Sequence, residues 1–119
     1  MPAKVMTPEA YAVDVTPWGS LTWFVSKALG NSDTLTVGRC LIHPGCANPV
    51  HVHPNCDEVL HVLQGRVRHS MGDAHAVEMA VGDTISVPMG LAHNATNIGD
   101  EDAICLISFS SAERKTLNE

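Results

Sequence analysis

Hydrophobic and polar positions along this chain change over with a short period. Stretches rich in β-branched and apolar side chains run Ser20–Ser26, Thr34–His43, Glu58–Leu63, Arg66–Met71, Ala74–Met79, Thr84–Pro88, Ala92–Asn97 and Ala103–Phe109. Each is bounded by Gly, Pro, Asn or Asp, which is the signature of strands separated by turns. The punctuation between them is clear at Gly30-Asn31-Ser32-Asp33, Pro44-Gly45, Gln64-Gly65, Gly82-Asp83 and Asn97-Ile98-Gly99-Asp100. Gly72-Asp73 suits a two-residue hairpin, because glycine supplies the positive φ its first central position needs. Sustained helical periodicity is absent. The one helix candidate is short and C-terminal, where Ser110 and Glu113 stand three apart as in a capping box. Before Ser20, with Pro2, Pro8 and Pro17, the pattern supports no more than an arm with a short strand. About eight strands at this spacing predict an all-β sandwich or jelly-roll barrel. The expected division is an arm over 1–19, a barrel over 20–110 and a tail over 111–119.

Two runs, Val59-Leu60-His61-Val62-Leu63 and Ile104-Cys105-Leu106-Ile107, are apolar at nearly every position. A strand with one wet face should alternate, so these are expected to be covered on both sides, the outer cover coming most simply from a second subunit. The length of 119 residues fits one domain, since two would each be too small to bury a useful core. A net charge of −6 argues against a nucleic-acid partner, because phosphate binding needs clustered Lys and Arg. No apolar run approaches the length of a membrane helix. The start, Met1-Pro2-Ala3-Lys4, has no apolar signal core, so the expected address is cytoplasmic. In that compartment Cys40, Cys46, Cys56 and Cys105 read as free thiols.

The histidines are informative because they cluster. His51 and His53 are two apart, so on a strand both imidazoles project from one face. Pro54-Asn55 then breaks the strand and Glu58 opens the next. Two imidazoles and a carboxylate converging across a turn make a partial site for a first-row transition ion, and His93, after the Pro88-x-Gly90 turn, is in position to complete it. Taken singly, each histidine reads as a surface or hydrogen-bonded residue and Glu58 as a solvated strand start; the joint pattern shifts that reading. His61, three past Glu58, belongs on the opposite face. His43, His69 and His75 stand beside turns and read as solvated. Cys46 and Cys56 flank the ligand segment, where a thiolate can bind or regulate a metal, although small buried apolar residues are the better reading. Arg39 sits in an apolar strand, placed either to clamp an anionic substrate or to pair with an acid at a dimer edge. Trp18, Trp23, Phe24 and Met89 are candidates to line a pocket, with core packing as their commoner fate.

With these residues in view, the chain resembles the cupin family. Gly45, His51, His53, Glu58 and Gly65 match its first motif: a glycine, five residues, His-x-His, a short gap, Glu, six residues, glycine. Gly82, Pro88, Gly90, His93 and Asn97 match the second at every gap, with 16 residues between the motifs. The resemblance implies a double-stranded β-helix barrel with three His and one Glu as ligands to one divalent transition ion. It also implies a homodimer built through exchanged or paired strands. The ligand set accepts manganese, iron, nickel, copper or zinc, and Glu58 reads as ligand or base. Asn97 is expected to fix a turn through its amide. The leading functional expectation is a metal-dependent enzyme acting non-oxidatively, as isomerase, lyase or ring-opening catalyst, on a small sugar- or acid-derived metabolite. Similarity to short cupins of carbohydrate breakdown supports it, as does the polar set Asn48, Asn55, Asp57 and Asn94 near the ligands. The alternatives are an oxygen-dependent dioxygenase using iron or copper and a non-catalytic binding or sensor domain.

Overall fold

The computed structural model describes residues 2–73 and 75–119. After a 3-10 turn at Pro8–Ala10, the chain forms β1 (Ala12–Thr16), β2 (Gly19–Val25), β3 (Thr36–Ile42), β4 (His51–Val52), β5 (Glu58–Gln64), β6 (Val67–Met71), β7 (His75–Met79), β8 (Thr84–Val87), β9 (His93–Asn97), β10 (Ala103–Phe109) and β11 (Leu117–Asn118). All eight strands expected from the pattern form, each within two residues of its expected ends. Ala74, the expected first residue of β7, lies outside the described residues. The strands make two antiparallel sheets, one in the order β1-β2-β3-β10-β5-β8 and the other β11-β4-β9-β6-β7. The fold is thus all-β, a jelly roll whose sheets face each other across one core.

Strict alternation drives that burial. In β10, Ala103, Cys105, Ile107 and Phe109 point inward, and in β3, Thr36, Gly38, Cys40 and Ile42 do the same. Ile42, Val62, Val67 and Cys105 are fully enclosed, and burying an aliphatic side chain of this size contributes about 1.5–3 kcal/mol. Gly38 is required by packing. A Cβ there would stand 2.5 Å from both the Thr22 carbonyl and the Trp23 ring. Gly65 is required by conformation as well as space, with φ +82° and Ala103 3.1 Å from a would-be Cβ.

The expected C-terminal helix does not form. The Ser110 hydroxyl accepts the Asp57 N–H at 2.9 Å, so it is not available to cap Glu113, and the Ser110 N–H donates back to the Asp57 carbonyl. Further along, Asn55 holds Glu113 and Lys115 by two side-chain bonds, and β11 then pairs with β4. Backbone groups that a helix would satisfy are taken by the segment before β5. At the other end, β1 pairs with β2 from Ala12↔Trp23 to Thr16↔Gly19.

The outer face of β5 and β10 is open in the single chain. Val59 and Leu63 are 41% and 49% exposed, while Ile104 and Leu106 are half-buried. His61, also on this face, bonds Thr84. Among the described residues no helix is long and apolar enough to cross a membrane.

Candidate metal centre and its pocket

Pairing between strands brings the four expected ligands together. His51 in β4 lies in register with His93 at the start of β9, and His53 follows β4 by one residue. Glu58 opens β5 in the opposite sheet, so two imidazoles from one sheet and a third from the residue just past it meet a carboxylate from the other. All four are buried, and their candidate ligand atoms lie within 4.8 Å of one another. Bonds of about 2.0–2.2 Å to a common ion would place such atoms about 3–4 Å apart, so the cluster needs little adjustment to hold one.

Each imidazole is oriented by its far nitrogen. Nδ1 of His51 donates to the Pro49 carbonyl at 2.7 Å, that of His53 to Lys115 at 2.9 Å, and that of His93 to Leu91 at 2.9 Å. A carbonyl only accepts, so the proton sits on Nδ1 and the Nε2 lone pairs face the centre, the arrangement that fixes a metal-binding tautomer. Glu58 Oε1 lies 2.9 Å from His93 Nε2 and 3.0 Å from His53 Nε2. The first contact is a hydrogen bond that His93 donates from Nε2 when its ring is doubly protonated; in the neutral ring that nitrogen is free to bind an ion. The second is off-line, and His53 Nε2 is a buried nitrogen with no hydrogen-bond partner among the described residues. An orphaned nitrogen aimed at a carboxylate and two further imidazoles is what a cation would satisfy, so the donor set fits a transition ion.

Electrostatics agrees. Burial would raise the Glu58 pKa, but the neighbouring His53 and His93 rings outweigh it and bring the group down to about 2. His51 is pushed down to about 4, chiefly by burial, so its ring is neutral at neutral pH. For His93, burial acts downward but the Glu58 contact prevails and raises it.

The cluster opens onto a cavity of about 290 Å³ between the sheets. Its walls include Trp18, Trp23, Leu60, Ile107 and Phe109, with Arg114 at one side. Of the substrate candidates, Trp23 lies in this wall, its indole N–H donating to Asp14 at 3.1 Å. Arg39 does not reach the cavity: alternation in β3 sends it to the exposed outer face, over the Phe24 ring at 5.6 Å. Met89 is 55% exposed and lies outside the cavity. The expected polar lining is mostly absent too. Asn48 reaches the wall, whereas Asn55 pins the C-terminal tail, Asp57 accepts the Met89 N–H, and Asn94 bonds Ser70 and Asn48.

Other expectations sort by burial. Asn97 fixes its turn, donating to the Ile42 and Glu101 carbonyls and accepting from Gly99. His43 is exposed beside Asp102, and His75 is exposed. His69 corrects its reading as solvated: it is 1% exposed and stacks on His93 at 5.5 Å, because Val67 and His69 share the inward side of β6. All four cysteines are free. Burial pushes the Cys105 thiol up to about 12 and raises Cys40 and Cys56 also, so these are small packed groups rather than thiolates. Arg114 and Thr116 in the cavity wall carried no sequence signal, since the tail reaches the site only through pairing with a strand some 65 residues earlier.

Comparison with known proteins gives the same picture. The chain is 30% identical over 109 residues to germin-like protein 3-8 of Oryza sativa subsp. japonica, covering 88% of this chain and 47% of that one. Oxalate decarboxylase of Lactobacillus farciminis, solved as a formate complex, superposes with a TM-score of 0.84 at 22% identity, over 92% of this chain and 34% of that one. Bacillus subtilis oxalate decarboxylase, a protein with Mn(II) centres, superposes with a TM-score of 0.78 at 25% identity, over 87% and 28%. The chain therefore spans less than half the length of each of these relatives. The cupin domain model matches residues 38–109, which run from within β3 to the end of β10 and include all four residues of the His51, His53, Glu58 and His93 cluster, and the chain belongs to the cupin family.

Proposed function

We propose that this cupin domain is a metal-dependent enzyme that cleaves or rearranges a small acid-derived metabolite without consuming oxygen. The observation that carries the reading is the convergence of three imidazole nitrogens and one carboxylate at the wall of a substrate-sized cavity. A divalent ion held by His51, His53, Glu58 and His93 would act there as a Lewis acid on a bound oxygen. Manganese is the ion we favour, supported by the Mn(II) centres of the Bacillus subtilis relative.

The chain's own residues narrow the chemistry. The three carbonyl acceptors hold the imidazoles in one tautomer, so no proton need be lost from Nδ1 when an ion binds. Trp18, Leu60 and Phe109 exclude water from the reacting group. Outside the cluster, no carboxylate, histidine or tyrosine lines the cavity among the described residues. Glu58 is committed to two imidazoles, so base-led isomerisation is the least supported of the non-oxidative options and bond cleavage the best. The decarboxylase relatives are in keeping with that choice. An oxygen-dependent reaction is the second reading, favoured by one observation: the aromatic wall, which is the lining that shields oxygen intermediates.

We further propose a homodimer through the open apolar face of β5 and β10. For the reaction, the test is to incubate manganese- and iron-loaded protein with a panel of keto acids, dicarboxylates and sugar acids, following oxygen by electrode and products by NMR. Turnover without oxygen uptake is expected. Stoichiometric oxygen uptake would move the assignment to the second reading, and binding with no turnover would make the domain a sensor.

A further inference from the structure

Arg114 lies in the cavity wall together with the cluster. Its guanidinium stacks on Trp23, 4.1 Å from the ring centroid, and lies 5.3 Å from that of Phe109. Resting on the reading of the cavity as a substrate site, we infer that Arg114 is its anion anchor. The substrate then carries a carboxylate for Arg114 in addition to the group that meets the ion.

Three observations lead there. First, the guanidinium is held but not neutralised. Nη1 donates to the Thr116 hydroxyl at 2.5 Å, and among the described residues no carboxylate forms an ion pair with it. The nearby acids are engaged elsewhere: Glu58 meets the His53 and His93 rings, Asp14 accepts from Trp23, Asp57 from Met89, and Glu113 pairs with Lys27 at 3.2 Å. Burial disfavours the charged form of Arg114, yet a guanidinium keeps its proton, so a partly desolvated cation lies in the cavity wall. Such a group forms its strongest contacts with a planar, bidentate anion.

Second, the position is built. Asn55 accepts from the Lys115 N–H at 2.8 Å and donates to the Glu113 carbonyl at 2.9 Å, clamping the backbone on both sides of Arg114. The Lys115 carbonyl is also what orients His53. One stretch of tail therefore sets a candidate metal ligand and the cation together. Third, the charges call for an anion. A divalent ion and Arg114 against Glu58 leave roughly two net positive charges around a cavity whose other walls are uncharged.

The test uses benzoate and benzamide, which share a ring and differ in charge, titrated into the full chain in manganese-loaded and metal-stripped form by calorimetry and tryptophan fluorescence. Wild type is expected to prefer benzoate by about tenfold or more, as a charge-assisted bidentate contact provides, and to keep a preference after stripping. In the metal-stripped form Arg114→Gln should reduce it to about twofold or less, while the variant's metal content when loaded and its circular dichroism spectrum stay unchanged. Arg114→Lys, which keeps the charge but loses the flat fork, should weaken benzoate severalfold and leave benzamide unmoved. A glutamine variant that retains the preference, a lysine variant identical to wild type, or no saturable benzoate binding overturns the assignment. Failure of the metal reading shows differently: the protein takes up no manganese, yet the Arg114-dependent preference persists.

Discussion

His69 offers a perturbation whose size follows from the structure. Its ring is enclosed against His93, Nδ1 has no hydrogen-bond partner among the described residues, and burial together with the His93 charge pushes its pKa down to about 4. In the unfolded chain the same ring titrates near 6.5. The neutral ring therefore contributes stability that is complete above 6.5 and is lost as pH falls toward 4, because the unfolded state takes up the proton first. Between pH 7 and pH 5 this amounts to about 2 kcal/mol. In His69→Leu the term disappears, and so does a buried nitrogen whose lack of a partner costs about 1–3 kcal/mol. The variant should match or exceed wild type at pH 7 and lose about 2 kcal/mol less on moving to pH 5. His51, also held near 4, destabilises both proteins equally in this window and cancels. The assay is urea unfolding of metal-stripped protein at the two pH values. Equal losses in both proteins would mean that His69 is solvated or charged in the folded state, and the reasoning fails.

Other consequences are as direct. His93→Ala should leave a folded protein whose metal affinity falls by at least about a hundredfold, read by elemental analysis after dialysis, since one of four ligands is gone while the core is untouched. Asn55→Ala frees the tail that orients His53 and should lower metal affinity about tenfold with little change in melting temperature, measured by competition with a chromophoric chelator. Gly38→Ala should cost about 1–3 kcal/mol in urea unfolding, because the new methyl meets the Thr22 carbonyl and the Trp23 ring. If the open face of β5 and β10 is a subunit contact, Leu63→Lys should convert a dimer into a monomer in light scattering; a wild-type monomer at micromolar concentration would reject that contact.

The strands were legible because each is short, alternating and closed by a turn residue, and the convergence of His51, His53, Glu58 and His93 because two complete motifs fix which residues must meet. What escaped did so for identifiable reasons. Arg39 was weighed as a clamp because both faces of β3 are apolar, so Val37, Arg39 and Leu41 could not be told from Thr36, Gly38, Cys40 and Ile42 by hydrophobicity alone. His69 could have been placed: Val67, His69 and Met71 alternate with the polar Arg68 and Ser70, a pattern overridden by its nearness to the Gly72-Asp73 turn. The tail was beyond local reading. Ser110 and Glu113 have helix-capping spacing, and only the distant Asp57 and Asn55 decide that they do something else.

The central claim is that His51, His53, Glu58 and His93 hold one transition ion facing the cavity. X-ray absorption on the protein as purified from manganese-supplemented cells tests it most directly, giving ion content and ligand shell together. The expected result is close to one ion per chain with three imidazole rings in its shell at about 2.0–2.2 Å. An ion surrounded by oxygen alone, or protein that stays metal-free under supplementation, would contradict it.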